Sequence, residues 1–190
     1  MRKSNLKLLS LGIFIILIQN PLVAADKNGN THLGIFNSTK GKDNYIVGTF
    51  NKTEGNKNNI AGASNKTKGD ENKILGSFNN TTGNNNAIGG ASQTTTGDNN
   101  VIAGASNKTT GDKNNITGIS NKTEGTSNKI LGNTNSITGD SNNIKGISNT
   151  LVGNKNAVLG LNNSIEGNRN GVLGFDNKTG VQGLKARLIT

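Results

Sequence analysis

Gly97-Asp98-Asn99-Asn100-Val101-Ile102-Ala103-Gly104-Ala105-Ser106-Asn107-Lys108-Thr109-Thr110-Gly111 contains two copies of one seven-residue unit, Asn-x-Φ-x-Gly-x-x, with Φ apolar in the first copy and Thr in the second. The phase extends far in both directions. Glycine recurs every seven residues from Gly34 to Gly174, 21 hits without a miss. Four residues before each of these glycines stands an amide, and the amide column itself runs from Asn30 to Asn177 with Gln93 as its one departure from Asn.

The Φ position shows that the full period is fourteen. One set of heptads carries Asn44, Asn58, Asn72, Asn86, Asn100, Asn114, Asn128, Asn142 and Asn156, each followed two residues later by Ile46, Ile60, Ile74, Ile88, Ile102, Ile116, Ile130, Ile144 or Val158. His32 opens this apolar column. The same heptads close on Gly48, Gly62, Gly76, Gly90 and Gly104 and their successors. The other set carries Thr39, Thr53, Thr67, Thr81, Thr95, Thr109 and Thr123, then Ile137, Leu151 and Ile165, and returns to Thr179.

Asn, Φ and Gly stand at i, i+2 and i+4, so a strand places all three on one face. A helix would also align residues seven apart, but each heptad would put a Gly inside it at a cost of about 1 kcal/mol. The spacing therefore predicts an all-β chain. Two short strands and two tight turns make a fourteen-residue coil, and stacked coils make a parallel β-solenoid, or β-roll, of about ten and a half coils. A coil spacing of about 4.8 Å gives a rod roughly 50 Å long. Stacked Asn forms amide ladders, and stacked Ile forms an apolar column worth roughly 2 kcal/mol per side chain. Gly permits close passage or positive φ at the turns.

This periodicity reverses what composition alone implies. Of 190 residues, 36 are Asn and 27 are Gly, beside one Pro, no Cys and no Trp. Past residue 25 about 20% of the chain is Leu, Ile, Val or Phe, a proportion usually associated with disorder. One wide globular core is excluded, because too little apolar volume offsets the chain entropy. Collagen is excluded as well, since Gly every third residue and abundant Pro are missing. A solenoid needs only nearest-neighbour coil contacts.

Residues 1–25 read as a secretory signal peptide. Arg2, Lys3 and Lys7 precede the apolar run from Leu8 to Ile18, and Val23-Ala24-Ala25 offers small residues for cleavage before Asp26. The run is too short for a membrane anchor, and no transmembrane segment is expected in the mature chain. Residues 26–29 form a short lead-in, residues 30–179 the β-roll, and residues 180–190 an end cap or the start of a neck. Removing Arg2, Lys3 and Lys7 from the formal charge of +10 leaves +7, which favours anionic surfaces.

No catalytic trio, cofactor motif or metal set is expected. Asn37-Ser38-Thr39, Asn51-Lys52-Thr53 and Asn65-Lys66-Thr67 match the glycosylation pattern, but their asparagines belong to the inward ladder. The glycines follow the period rather than a phosphate-loop pattern. His32, the single histidine, reads as an end-cap residue, because no Cys or second His could complete a transition-metal site. Asp70, Glu71, Asp98, Asp112 and Asp140 read as turn residues with at most weak cation affinity.

The stretch from Gly97 to Gly111 resembles the fourteen-residue head repeat of YadA-like trimeric autotransporter adhesins, where small residues stand four and two before glycines spaced by seven. The resemblance covers about 150 residues of this chain. It implies a left-handed parallel β-roll, usually trimeric, on the outer membrane of Gram-negative bacteria and binding host matrix or cells. Here the family's Ser and Ala columns are Asn and Ile or Thr, a bulkier and more polar interior. The family continues through a neck and stalk to a membrane β-barrel. Gly180 to Thr190 loosely resembles the start of that neck, with Arg187 followed closely by Ile189-Thr190, which would make the chain a truncated passenger or a head-only secreted relative.

Two outer surfaces are candidates for partners. Val47, Leu75, Leu131, Leu159 and Leu173, with Phe36, Phe50, Phe78, Ile119, Ile147, Leu161 and Phe175 in the following turn, read as an apolar stripe and a homotrimer interface. On the opposite side Lys52, Lys66, Lys108, Lys122 and Lys178 read as a salt-sensitive face for host extracellular matrix, cell surface or anionic glycan, with no specific nucleic-acid partner. The leading expectation is an exported, non-enzymatic adhesin at the bacterial cell surface, in the outer membrane or outside the cell. A self-assembling matrix or functional-amyloid subunit is the alternative. An ice-binding solenoid is third, because the regular Thr column points inward.

Overall fold

The computed structural model describes residues 23–180. Most of the expected leader and nearly all of the expected C-terminal cap or neck lie outside the described residues. Val23–Ala25, the last three residues of that leader, form the first strand, β1.

The described chain is a parallel β-solenoid of about eleven coils of about fourteen residues, with two short strands per coil and no helix. After β1 come β2 (Thr31–Leu33), β3 (Ser38–Lys40), β4 (Tyr45–Thr49) and β5 (Lys52–Glu54). Five-residue and three-residue strands then alternate as far as β22 (Gly171–Phe175) and β23 (Lys178–Thr179). Even-numbered strands stack in one sheet and odd-numbered strands from β3 onward in the other. Every pairing is parallel and in register at fourteen residues, as in Ile46 on Ile60 and Thr53 on Thr67. The exception is β1, which lies antiparallel on β2 and closes that end of the first sheet.

The core is one side chain wide. Ile46, Ile60, Ile102, Ile116 and Ile144 are buried from the first sheet, and Ile137, Leu151 and Ile165 meet them from the second. Two Asn ladders flank this column. Asn44 is representative: its Nδ2 donates to Asn30 Oδ1 and to the Gly55 carbonyl, both at 2.8 Å. Its own Oδ1 accepts the Asn58 backbone N–H at 2.9 Å and Asn58 Nδ2 at 3.0 Å. That fills the two-donor, two-acceptor capacity of a primary amide, which is how so polar an interior is buried.

The turns depend on two backbone devices. At Gly48 φ is +123°, and a Cβ there would overlap the Gly62 carbonyl oxygen, so the glycine column is required by close approach. Two residues after each repeat glycine stands a non-glycine residue in the left-handed region, with φ between 53° and 60°. Lys57, Ser64 and Phe78 all adopt it, although a bulky side chain rarely does. The compensation is a coil-to-coil bond at the same residue, such as the Ser64 N–H to the Thr49 carbonyl at 2.9 Å.

Candidate functional site

The repeat uses its inward residues for cohesion, so any binding chemistry must come from the outward columns, the two turns and the ends. Of the ladder residues named from sequence, the nine asparagines from Asn44 to Asn156 and the eight isoleucines from Ile46 to Ile144 are buried, and Gly48, Gly62, Gly76, Gly90 and Gly104 are half-buried.

The apolar residues do not form one continuous stripe. Phe36, Phe50 and Phe78 occupy left-handed turn positions near the N-terminal end, 70%, 60% and 66% exposed. Phe36 and Phe50 stack with ring centroids 4.9 Å apart and planes 14° from parallel. Leu75 stands alone on the first sheet, because Gly89, Ala103 and Thr117 follow it in the same column. Leu131, Lys145, Leu159 and Leu173 then stack in register, beside a strand-end column of Ile147, Leu161 and Phe175. All of these but Ile147 line a shallow groove of about 500 Å³ near the C-terminal end.

The lysine face is likewise broken. Lys52 stacks on Lys66, and Lys108 on Lys122, but Asn80 and Thr94 separate the pairs. Lys52 Nζ lies 3.8 Å from Glu54, which is also 4.0 Å from Lys40, and Lys122 Nζ lies 3.0 Å from Glu124. Hydrogen bonding from Lys122 holds the Glu124 carboxyl below the usual carboxylate range. Lys52 and Lys122, two of the five predicted cationic positions, are therefore partly neutralised by acids two residues on, a spacing that places both side chains on one strand face. Lys66 and Lys108 make no ion pair among the described residues. In the outward column beside them, Thr82, Thr96 and Thr110 stack as a short hydroxyl run.

The acidic turn residues form a second, exterior ladder. Asp70 Oδ1 accepts the Asn56 N–H at 2.6 Å, Asp112 Oδ1 the Asp98 N–H at 2.7 Å, and Asp140 Oδ1 the Thr126 N–H at 2.7 Å. Its direction is opposite to the interior ladder, since here the earlier coil donates. Among the described residues no three acidic or histidine side chains cluster closely enough to hold a metal ion. His32 is half-buried in the first coil, where its Nε2 lies 2.8 Å from Thr39 Oγ1.

Four features escaped the sequence reading. Asp26 caps one Asn ladder, its Oδ1 accepting the Asn28 and Asn30 N–H groups and its Oδ2 accepting Asn30 Nδ2. Those bonds, led by the Asn30 side chain, hold the Asp26 carboxyl below its ordinary value. Gln93 continues only the backbone half of its ladder: it donates N–H to Asn79 Oδ1 and accepts the Asn107 N–H at Oε1, while its Nε2 has no partner. The buried hydroxyls of Thr53, Thr67, Thr81, Thr95, Thr109 and Thr123 also lack partners. The left-handed turn positions had no sequence signal, because unlike residues occupy them.

No protein-family model matches the chain, and no curated protein matches it.

Proposed function

We propose that this chain is a non-enzymatic adhesin-like rod, exported to the bacterial surface or beyond it and comparable to the head of a YadA-like trimeric autotransporter. The observation that carries the reading is the segregation of outward chemistry along one repeat. Turn aromatics and the stacked pairs Lys52–Lys66 and Lys108–Lys122 occupy coils before Leu131, and the Leu131, Leu159, Leu161, Leu173 and Phe175 groove lies beyond them. A rod of identical coils could display one chemistry throughout, so two separated surfaces suit two tasks. The groove joins copies into a trimer. The face that carries Lys66 and Lys108 meets anionic glycan or host matrix, with an affinity that falls as salt rises.

Sedimentation of residues 26–190 tests the assembly. A trimer that Leu159→Ser converts to monomer is expected, and a wild-type monomer at micromolar concentration overturns it. Retention on immobilised sulfated polysaccharide, lost with added salt, tests the binding face. Equal retention by the wild type and a Lys66→Gln, Lys108→Gln double variant counts against that face.

One observation favours a second reading, the self-assembling matrix subunit. The second sheet ends on β3 with no further strand among the described residues. An open edge can accept a strand from another copy. Seeded fibre growth with thioflavin binding would favour that reading, and a discrete soluble trimer disfavours it.

A further inference from the structure

We infer that the turn between Phe50 and Phe78 is a ring-binding slot for an acidic pyranose of a glycan. The inference rests on the glycan-binding reading above and names the sugar it takes. Phe36 and Phe50 stack one coil apart with centroids at 4.9 Å, so Phe78, two coils beyond Phe50 in the same left-handed turn conformation, stands on the order of 10 Å along the rod, twice the coil spacing. The coil between them carries Ser64 at the equivalent position. One ring is therefore missing from an aromatic ladder, and the gap equals two ring-stacking separations, the space one inserted ring needs.

The surroundings select the kind of ring. Both walls are exposed phenyl groups, which suit the C–H faces of a pyranose. The floor is the small, polar Ser64, and the preceding strand-end residues Thr49, Ala63 and Ser77 are small as well. Lys66, two residues after Ser64, points outward beside the slot and makes no ion pair among the described residues. A uronic-acid ring presents apolar faces and a rim of hydroxyls with one carboxylate at its edge. Seated between the phenyl groups, it directs that rim toward Ser64 and Lys66. A purely aromatic ring would satisfy the walls and leave the polar floor and the lysine unused.

The test titrates the full protein with a hyaluronan tetrasaccharide and with the neutral cellotetraose, followed by calorimetry and by saturation transfer from protein aromatic protons to the sugar. Saturation of the acidic sugar's ring protons is expected, with weaker binding of the neutral one. Ser64→Phe fills the slot with a residue that this turn accommodates at three other coils, so the fold is retained; binding should fall at least about tenfold. Phe78→Ala should produce a similar loss, and Lys66→Gln should erase the preference for the acidic sugar. If the wild type binds hyaluronan and Ser64→Phe binds it equally, the slot is overturned while the anionic-surface reading stands. Failure of the wild type to bind either oligosaccharide overturns the slot, and the sulfated-polysaccharide column then decides the broader reading separately. Tighter binding of a phenylalanine-bearing peptide than of either sugar also overturns the slot and assigns it to a protein partner.

Discussion

The coils lined by Thr53 to Thr123 and the coils lined by Ile137, Leu151 and Ile165 share a backbone, a glycine column and paired Asn ladders, yet differ in what fills the middle. In the first region six buried hydroxyls face the Ile column without partners. In the second, apolar side chains face it, and the outer surface becomes apolar too, through Val152, Leu159 and Leu173. Coil geometry is therefore set by the amide and glycine columns, while the Φ column tunes how strongly neighbouring coils adhere. Because solenoid stability is a sum of local interfaces, the Thr-lined region is the weaker one, and it is also the one that bears the aromatic turn and the lysines.

The largest expected effect tests what the two regions share. Gly104→Ala in the Thr-lined region would drive a Cβ into the Gly118 carbonyl oxygen, and Gly160→Ala in the Ile-lined region would drive one into that of Gly174. The obstacle is backbone in both cases, so relief requires coils to part. Each variant should lose about 4 kcal/mol or more in urea unfolding. Similar losses in both regions support a common scaffold; a tolerated Gly104→Ala beside a damaging Gly160→Ala would show that the regions differ in backbone as well as lining.

The next effect exchanges the linings. Ile137→Thr introduces an unpartnered hydroxyl and removes a buried methylene, and about 2 kcal/mol should be lost. Thr95→Val does the reverse, at nearly constant volume and at a site whose hydroxyl has no partner, and about 1 kcal/mol should be gained. Chemical denaturation reads both signs. A destabilised Thr95→Val protein would mean that the hydroxyls are satisfied, for example by internal water, and the contrast between the regions would disappear. His32 shows what a partner looks like: in the first coil its imidazole reaches Thr39, which no Ile in the later coils can do.

The inward register was legible because Asn, Φ and Gly each repeat without a slip, and a strand allows only one face to hold all three. The left-handed residue two places after each glycine was not legible, because Phe50, Lys57 and Ser64 have no shared preference for it; bonding between coils imposes it. The outer surfaces were readable as residue types but not as continuous patches, since continuity depends on what occupies the same column one coil away, as Gly89 does beside Leu75. Gln93 shows the limit most clearly. By chemistry it is an equivalent amide, but its extra methylene places Nε2 where nothing accepts its hydrogens. Gln93→Asn should restore the side-chain rungs to Asn79 and Asn107 and stabilise the Thr-lined region by about 1 kcal/mol, measured by the denaturation midpoint. No gain would show that these rungs contribute little beyond the backbone bonds that Gln93 already makes.

The smallest effect concerns the end of the Thr-lined region, where a titratable group stands in for an amide. Asp26 accepts from the Asn30 N–H and Nδ2 as the preceding Asn does elsewhere in the ladder, and this donation lowers its pKa from the ordinary 3.8. A lowered folded-state pKa means that the cap's contribution is present above the unfolded-state value and is lost as pH falls through the folded-state value. Protonation removes the charge assistance on these bonds, so amide exchange in Thr31–Leu33 should accelerate below about pH 4, the ordinary carboxylate range. The His32 ring adds a smaller coulombic lowering. Asp26→Asn is the sharper variant, because an amide can still accept at Oδ1 but does not titrate. It should retain the cap at neutral pH and abolish the local acid response. An unchanged acid response at Thr31–Leu33 in that variant would place its origin in another group than the Asp26 cap.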